Sequence, residues 1–116
     1  MSNEEAISAS VDGDVQVISV QVATFDARNA KEIRAMAEKA IGDHSKVVID
    51  LSAVEFMDSS GLGTLIPLLR SLSSRGGDLR LSGLQDRVQM LFELTRLYRV
   101  FSIWPNKSAA VSSFKA

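Results

Sequence analysis

At 116 residues with 46% hydrophobic content, the chain has the material for one ordinary core and neither the length nor a linker for two. A net charge of -1, with Lys and Arg interspersed among Asp and Glu, provides no basic footprint for nucleic acid. The absence of cysteine excludes disulfides, thiolate nucleophiles and Cys-based metal sites. The stretch from Met1 to Ile7 has neither the basic start nor the apolar core of a signal peptide. No apolar run approaches the ~20 residues needed to cross a bilayer. A cytoplasmic domain with no membrane contact and no direct nucleic-acid binding is therefore expected.

Two runs that favour strand, Ile7 to Val11 and Val15 to Val22, flank the turn signal Asp12-Gly13-Asp14. They predict a hairpin whose second arm enters a sheet. Asp26 is placed to cap a helix that turns Ala30, Ile33, Ala37 and Ala40-Ile41 toward a core, and Gly42 suits its stop. Val47 to Leu51 is an apolar, β-branched run of the length expected for a strand buried on both faces. Beyond it, Leu62, Leu65, Ile66, Leu69 and Leu72 recur at helical spacing up to Ser73-Ser74-Arg75-Gly76-Gly77. Pro67 lies inside that helix, where a proline costs ~3 kcal/mol in a regular interior, so a kink or a 3₁₀ stretch is expected. Leu79-Arg-Leu-Ser-Gly83 alternates as a strand, and Val88, Leu91, Phe92 and Thr95 mark another amphipathic helix. Phe101 to Trp104 reads as a short last strand, and Asn106 can cap a final helix containing Ala109, Ala110, Val111 and Phe114. The order β-β-α-β-α-β-α-β-α predicts an α/β fold. Its sheet is mostly parallel, with right-handed crossovers, an antiparallel N-terminal edge strand and about four helices.

Candidate chemistry concentrates at Asp58-Ser59-Ser60-Gly61, which sets an acid, two hydroxyls and a flexible backbone at a helix N-terminus. This turn falls beyond the carboxyl ends of the strands, on the same side as the connection from Ala23 to Asp26. The simplest reading is structural: Ser59 or Ser60 accepts a backbone N–H, and Gly61 eases a tight entry into the helix. A serine hydrolase needs a base beside its nucleophile. The sole imidazole, His44, precedes the strand whose far end leads to Ser59, and a strand separates its ends by ~3.3 Å per residue. His44 is read as a surface residue near the Gly42-Asp43 turn. A phospho-accepting aspartate would need carboxylates for a metal after the first strand and a lysine after the last. Here Asp12 and Asp14 precede their strand, and no lysine follows Trp104 until Lys107. No Walker-type glycine-rich loop occurs. What remains is a serine modified by another protein. A phosphate on Ser59 adds about -1.5 to -2 charges and three acceptor oxygens beside Asp58. The helix N-terminus softens the repulsion within the domain, while a partner docked on the loop meets a solvated dianion.

Val48-Ile-Asp-Leu-Ser52, followed by Phe56-Met-Asp-Ser-Ser-Gly-Leu-Gly63, closely resembles the bacterial anti-sigma factor antagonists, the type members of the STAS domains. The resemblance runs from Val15 to Phe114 and includes Phe25-Asp26-Ala27 with Asn29 and Gly76-Gly77-Asp78-Leu79-Arg-Leu81. Val88, Leu91 and Phe92, then Leu97 to Phe101, also match. It implies a single STAS domain over residues 1–116, with a core spanning 5–114, that acts as a switch and not as an enzyme. It further implies that Ser59 is phosphorylated by an anti-sigma factor kinase with a histidine-kinase-like ATPase fold. The unphosphorylated form would bind that kinase and free the sigma factor; the phosphorylated form would not, until a PP2C-type phosphatase restores it. ATP and magnesium would belong to the kinase, leaving this chain without cofactor or metal.

Carried over by the same resemblance, Asp58 shapes the loop and its charge, and Ser60 with Gly61 opens the helix. Asp26, Asp58, Ser59, Ser60 and Leu62 form the candidate partner surface, together with the exposed start of the helix from Gly61 to Ser74. Leu62 and Gly63 are also assigned packing and close backbone approach. Phe25, where the family often has leucine, and Pro67 depart from the pattern without touching the switch. STAS domains also occur in anion transporters, in stressosome proteins and as accessory subunits of lipid-transporting ABC systems. The last is the alternative reading, and Ser59, where those subunits more often carry threonine, favours the antagonist.

Overall fold

In the computed structural model, which describes residues 6–115, the N-terminal runs form the expected hairpin. β1 (Ile7–Asp12) and β2 (Val15–Val20) pair antiparallel, with Ile7 opposite Val20 and Asp12 opposite Val15. The chain continues through β3 (Thr24–Phe25), α1 (Ala30–Ile41), β4 (Lys46–Asp50), β5 (Phe56–Met57), α2 (Ser59–Ser74) and β6 (Asp78–Ser82). It ends with α3 (Asp86–Leu94), a 3₁₀ turn (Leu97–Arg99), β7 (Ser102–Trp104) and α4 (Lys107–Ser113).

The main sheet has the order β1-β2-β4-β6-β7, and every pairing after the hairpin is parallel. The predicted α/β architecture, with its antiparallel edge and four helices, is the one observed. Each crossover from β2 to β7 steps the same way across the sheet, and right-handed connections that all step one way collect their helices on one face. Accordingly α1, α2 and α3 cover a large cluster that includes Ile18, Ile33, Ile49, Leu65, Leu72, Leu81 and Phe92. The helix α4 crosses to the opposite face after the edge strand and covers a small cluster of Val15, Val17, Val48, Ala110 and Val111. The central strand β4 is buried on both faces, as its continuous apolar run requires.

Three features differ from the sequence-based expectation. The helix α2 runs uninterrupted for 16 residues through Pro67, without a 3₁₀ stretch. Leu62, Leu65, Leu68, Leu69 and Leu72 are buried along its inner side. Burying such a side chain is worth ~1.5–3 kcal/mol, so together they outweigh the ~3 kcal/mol that an interior proline costs. The helix α1 begins at Ala30, with Asn29 at its N-cap position, and its stop at Gly42 (φ +48°) is as predicted. Finally, β3 and β5 form a separate two-stranded parallel sheet. Two-residue strands are too short to carry a period-2 signal.

Candidate functional site

The small sheet positions the site. Thr24 pairs with Phe56 and Phe25 with Met57, and the Ala23 carbonyl accepts from the N–H groups of Glu55 (2.8 Å) and Phe56 (3.1 Å). The Asp58 N–H donates to the Phe25 carbonyl at 3.3 Å. The next residue of each strand is an aspartate, so this pairing delivers Asp26 and Asp58 to the same end of the molecule.

Asp26 organises the turn before α1. Its carboxylate accepts from the Arg28 backbone N–H at 3.0 Å and from the guanidinium, with Nε at 3.1 Å and Nη2 at 2.9 Å. Its own N–H donates to Asn29 Oδ1 at 3.1 Å, and Asn29 Nδ2 donates to the Thr24 carbonyl at 2.8 Å. The Arg28 guanidinium, then the Arg28 backbone N–H, hold the Asp26 carboxyl below its ordinary pKa. Asp26 therefore caps a turn rather than α1 itself, whose first N–H (Ala30) reaches the Asp26 carbonyl at 2.9 Å.

The cap of α2 is Asp58 and not a serine. Asp58 has extended backbone geometry, and its Oδ1 accepts from the N–H groups of Ser60 at 2.8 Å and Gly61 at 3.4 Å. Two donors of the helix end are thus already engaged. A negative group on Ser59 would feel the helix field but would not find those two donors free. Ser59 is the first residue of α2 and is exposed; Ser60 is half-buried. Gly61 is buried, and a Cβ there would lie 2.5 Å from Met57 Cγ and 3.0 Å from the Phe25 carbonyl oxygen. Only glycine lets the first turn of α2 sit this close to the small sheet.

Of the roles assigned to Leu62 and Gly63, packing by Leu62 is observed, while a partner contact by Leu62 and a close backbone approach at Gly63 are not. Leu62 is 7% exposed and belongs to the large apolar cluster, so its side chain is core and offers nothing to a partner. Gly63 is exposed, and a Cβ on it would meet nothing within 4 Å; the close backbone approach assigned to it occurs at Gly61. Asp26, Asp58, Ser59 and Ser60 are brought together around the start of α2. His44 is half-buried beyond the opposite end of β4, where its carbonyl accepts from Arg75.

A polar cluster escaped the sequence reading. Asp50, 4% exposed, accepts from Ser82 Oγ at 2.8 Å, from Ser52 Oγ at 2.5 Å and from the Ser52 N–H at 3.3 Å. The signal available was an acid closing an otherwise apolar strand. Through Ser52 and Gln85, which bonds the Ser52 carbonyl at 2.7 Å, this cluster ties the segment leading to Asp58 onto β6. Among the described residues no group of three or more His, Asp or Glu could hold a metal ion, and no helix is long and apolar enough to cross a membrane.

The parallel sheet with its antiparallel edge, and the capped serine turn at the start of α2, define a known class. A STAS domain model matches residues 6–110, and the chain belongs to the STAS domain family. The anti-sigma-B factor antagonist of Listeria monocytogenes is 36% identical over 92 residues, which cover 78% of this chain and 81% of that protein. A crystal structure of an anti-sigma factor antagonist from Mycobacterium paratuberculosis aligns with a TM-score of 0.84 at 25% identity, over 95% of this chain and 93% of that one. The anti-sigma factor antagonist SpoIIAA shares the fold in its unphosphorylated form, with a TM-score of 0.78 at 21% identity over 95% of this chain and 96% of that one. The phosphorylated form of SpoIIAA, from Bacillus, also shares it, with a TM-score of 0.71 at 22% identity over 94% and 99%.

Proposed function

We propose that this chain is an anti-sigma factor antagonist that works in the cytoplasm as a single domain and is switched by phosphorylation of Ser59. In its unphosphorylated form it binds an anti-sigma factor with a histidine-kinase-like ATPase fold and releases the sigma factor. That kinase phosphorylates Ser59 using its own ATP and magnesium, and a PP2C-type phosphatase reverses the step. Asp26, Asp58 and Ser60 surround the acceptor on the docking surface.

One observation carries the reading. Ser59 is exposed at the first position of α2, while Asp58 before it and Gly61 after it are engaged in capping and close packing. A dianion can therefore be added without disturbing a buried contact, and it changes the charge and bulk of the surface alone. The names of the relatives support the role. The occurrence of one fold in both phosphorylation states of SpoIIAA supports a switch that leaves the fold intact.

The test is a pull-down from the native host with wild type, Ser59→Ala and Ser59→Asp as baits, read by mass spectrometry. A histidine-kinase-like ATPase retained by wild type and Ser59→Ala and lost by Ser59→Asp is the expected result. Transporter ATPase subunits retained equally by all three would replace this function with that of an accessory transport subunit. Full phosphate incorporation into Ser59→Ala by the kinase would move the acceptor, to Ser60 first.

A further inference from the structure

Gly63 lies on the outer side of α2, and nothing within the domain crowds it. A Cβ at this position meets open space, yet glycine in a helix interior lowers stability relative to alanine through chain entropy. Four residues on, Pro67 has no N–H, so the Gly63 carbonyl lacks the donor that a regular helix supplies. The outer side of α2 thus presents a bare Cα at Gly63.

Gly63 borders an open cleft of about 310 Å³ between α1 and α2, which Ser60 also lines. Lys31 and Arg34 face it from α1. The helices are tied across its floor by Thr64, whose hydroxyl donates to the Ala30 carbonyl at 3.3 Å. The described lining carries two cations and no carboxylate. Arg34 does pair with Glu38 at 3.0 Å, but the two side chains are 47% and 55% exposed. Surface pairs of this kind are weak enough to be exchanged for a partner's carboxylate.

We infer that this cleft receives an acidic segment of the anti-sigma kinase, with its backbone close over Gly63 and its carboxylates against Lys31 and Arg34. The charge of the lining selects the occupant, and the missing side chain sets how near it comes. The inference rests on the switch reading of Ser59 and adds a second contact to it. The cleft begins one residue beyond the acceptor, so a phosphate on Ser59 repels the incoming carboxylates as well as burdening the loop.

The test uses the full chain and the purified anti-sigma kinase encoded in the same genome. Affinity is measured by titration calorimetry at two salt concentrations, and melting by circular dichroism. Gly63→Ala is expected to raise the melting temperature by about 4 °C while weakening binding. Gly63→Gln is expected to weaken binding by about tenfold or more. Joint replacement Lys31→Glu and Arg34→Glu is expected to weaken binding by about tenfold and flatten its salt dependence, with the fold intact.

Ser59→Asp, measured alongside, separates this inference from the reading beneath it. If wild type binds and Ser59→Asp does not, while Gly63→Gln and the charge reversal bind like wild type, the cleft is overturned and the switch stands. If wild type does not bind the kinase, both fall. A lower melting temperature for Gly63→Ala also overturns the inference, because Gly63 would then be serving the turn of α2 before Pro67.

Discussion

Asp50→Ala probes the polar cluster that anchors the segment leading to the serine turn. Asp50 is 4% exposed and Ser82 is fully buried at 0%, so removing the carboxylate strands the Ser82 hydroxyl where water does not reach. An unsatisfied buried hydroxyl costs ~1–3 kcal/mol. Ser52 is exposed, and its hydroxyl and N–H return to solvent at little cost. Loss of the charge-assisted bonds adds to the deficit, while relief of the carboxylate's desolvation offsets part of it. The net expectation is a loss of ~2–3 kcal/mol, a fall in melting temperature of roughly 8–12 °C for a domain of this size. Urea unfolding followed by Trp104 fluorescence and by circular dichroism measures it. Ser82→Ala in the Asp50→Ala background is expected to cost less than it does alone, with a coupling of ~1 kcal/mol or more. An Asp50→Ala variant within ~0.5 kcal/mol of wild type, or strictly additive substitutions, would refute the account of the cluster.

Asp58→Ala is expected to cost ~1–2 kcal/mol through loss of the α2 cap. Asp58→Asn keeps an acceptor and is expected to cost less, ~0.3–1 kcal/mol from the lost charge at the helix end. Equal denaturation midpoints for the two variants would show that the cap geometry contributes nothing. Asp26 is held below the ordinary carboxyl value of 3.8 by Arg28. What its ionised form contributes to the 26–29 turn is therefore present in full above that value and is lost as pH falls through the lowered one. Carbon-detected NMR titration should place the Asp26 midpoint below 3.8 in wild type and move it upward in Arg28→Ala; an unmoved midpoint removes Arg28 as the cause.

Legibility followed segment length. The run at Val15 to Val22, the continuous apolar run at Val47 to Leu51 and the leucines of α2 were long enough to reveal strand, strand and helix, and the turn chemistry of Gly13 and Gly42 marked limits between elements, although the first run ends as a strand at Val20. The pairing of Phe25 with Met57 was invisible, because a two-residue strand is specified by its partner and not by its own pattern. That pairing brings Asp26 beside the serine turn, so the sequence yielded the members of the site without the element that joins them. Among the two glycines of the turn, spacing alone could not tell which is pressed against Met57 and which faces open space. Asp58 outcompeted both serines for the helix end because its carboxylate reaches two N–H groups in succession. Pro67 misled because propensity speaks for an isolated helix, whereas α2 is held by the leucines beneath it.

The two faces of the sheet are covered unequally. The helix α4 has 7 residues, well below the ~12–15 at which an isolated helix becomes even marginal, and it is held by the small cluster on its side of the sheet. Its amides are expected to exchange with solvent through a partial opening that leaves the rest of the domain closed. Ser59, in contrast, begins a helix of 16 residues seated on the large cluster. A kinase acting on Ser59 as proposed would meet it as part of a folded surface and not as a loosened peptide, and would have to recognise a shape assembled from distant parts of the chain.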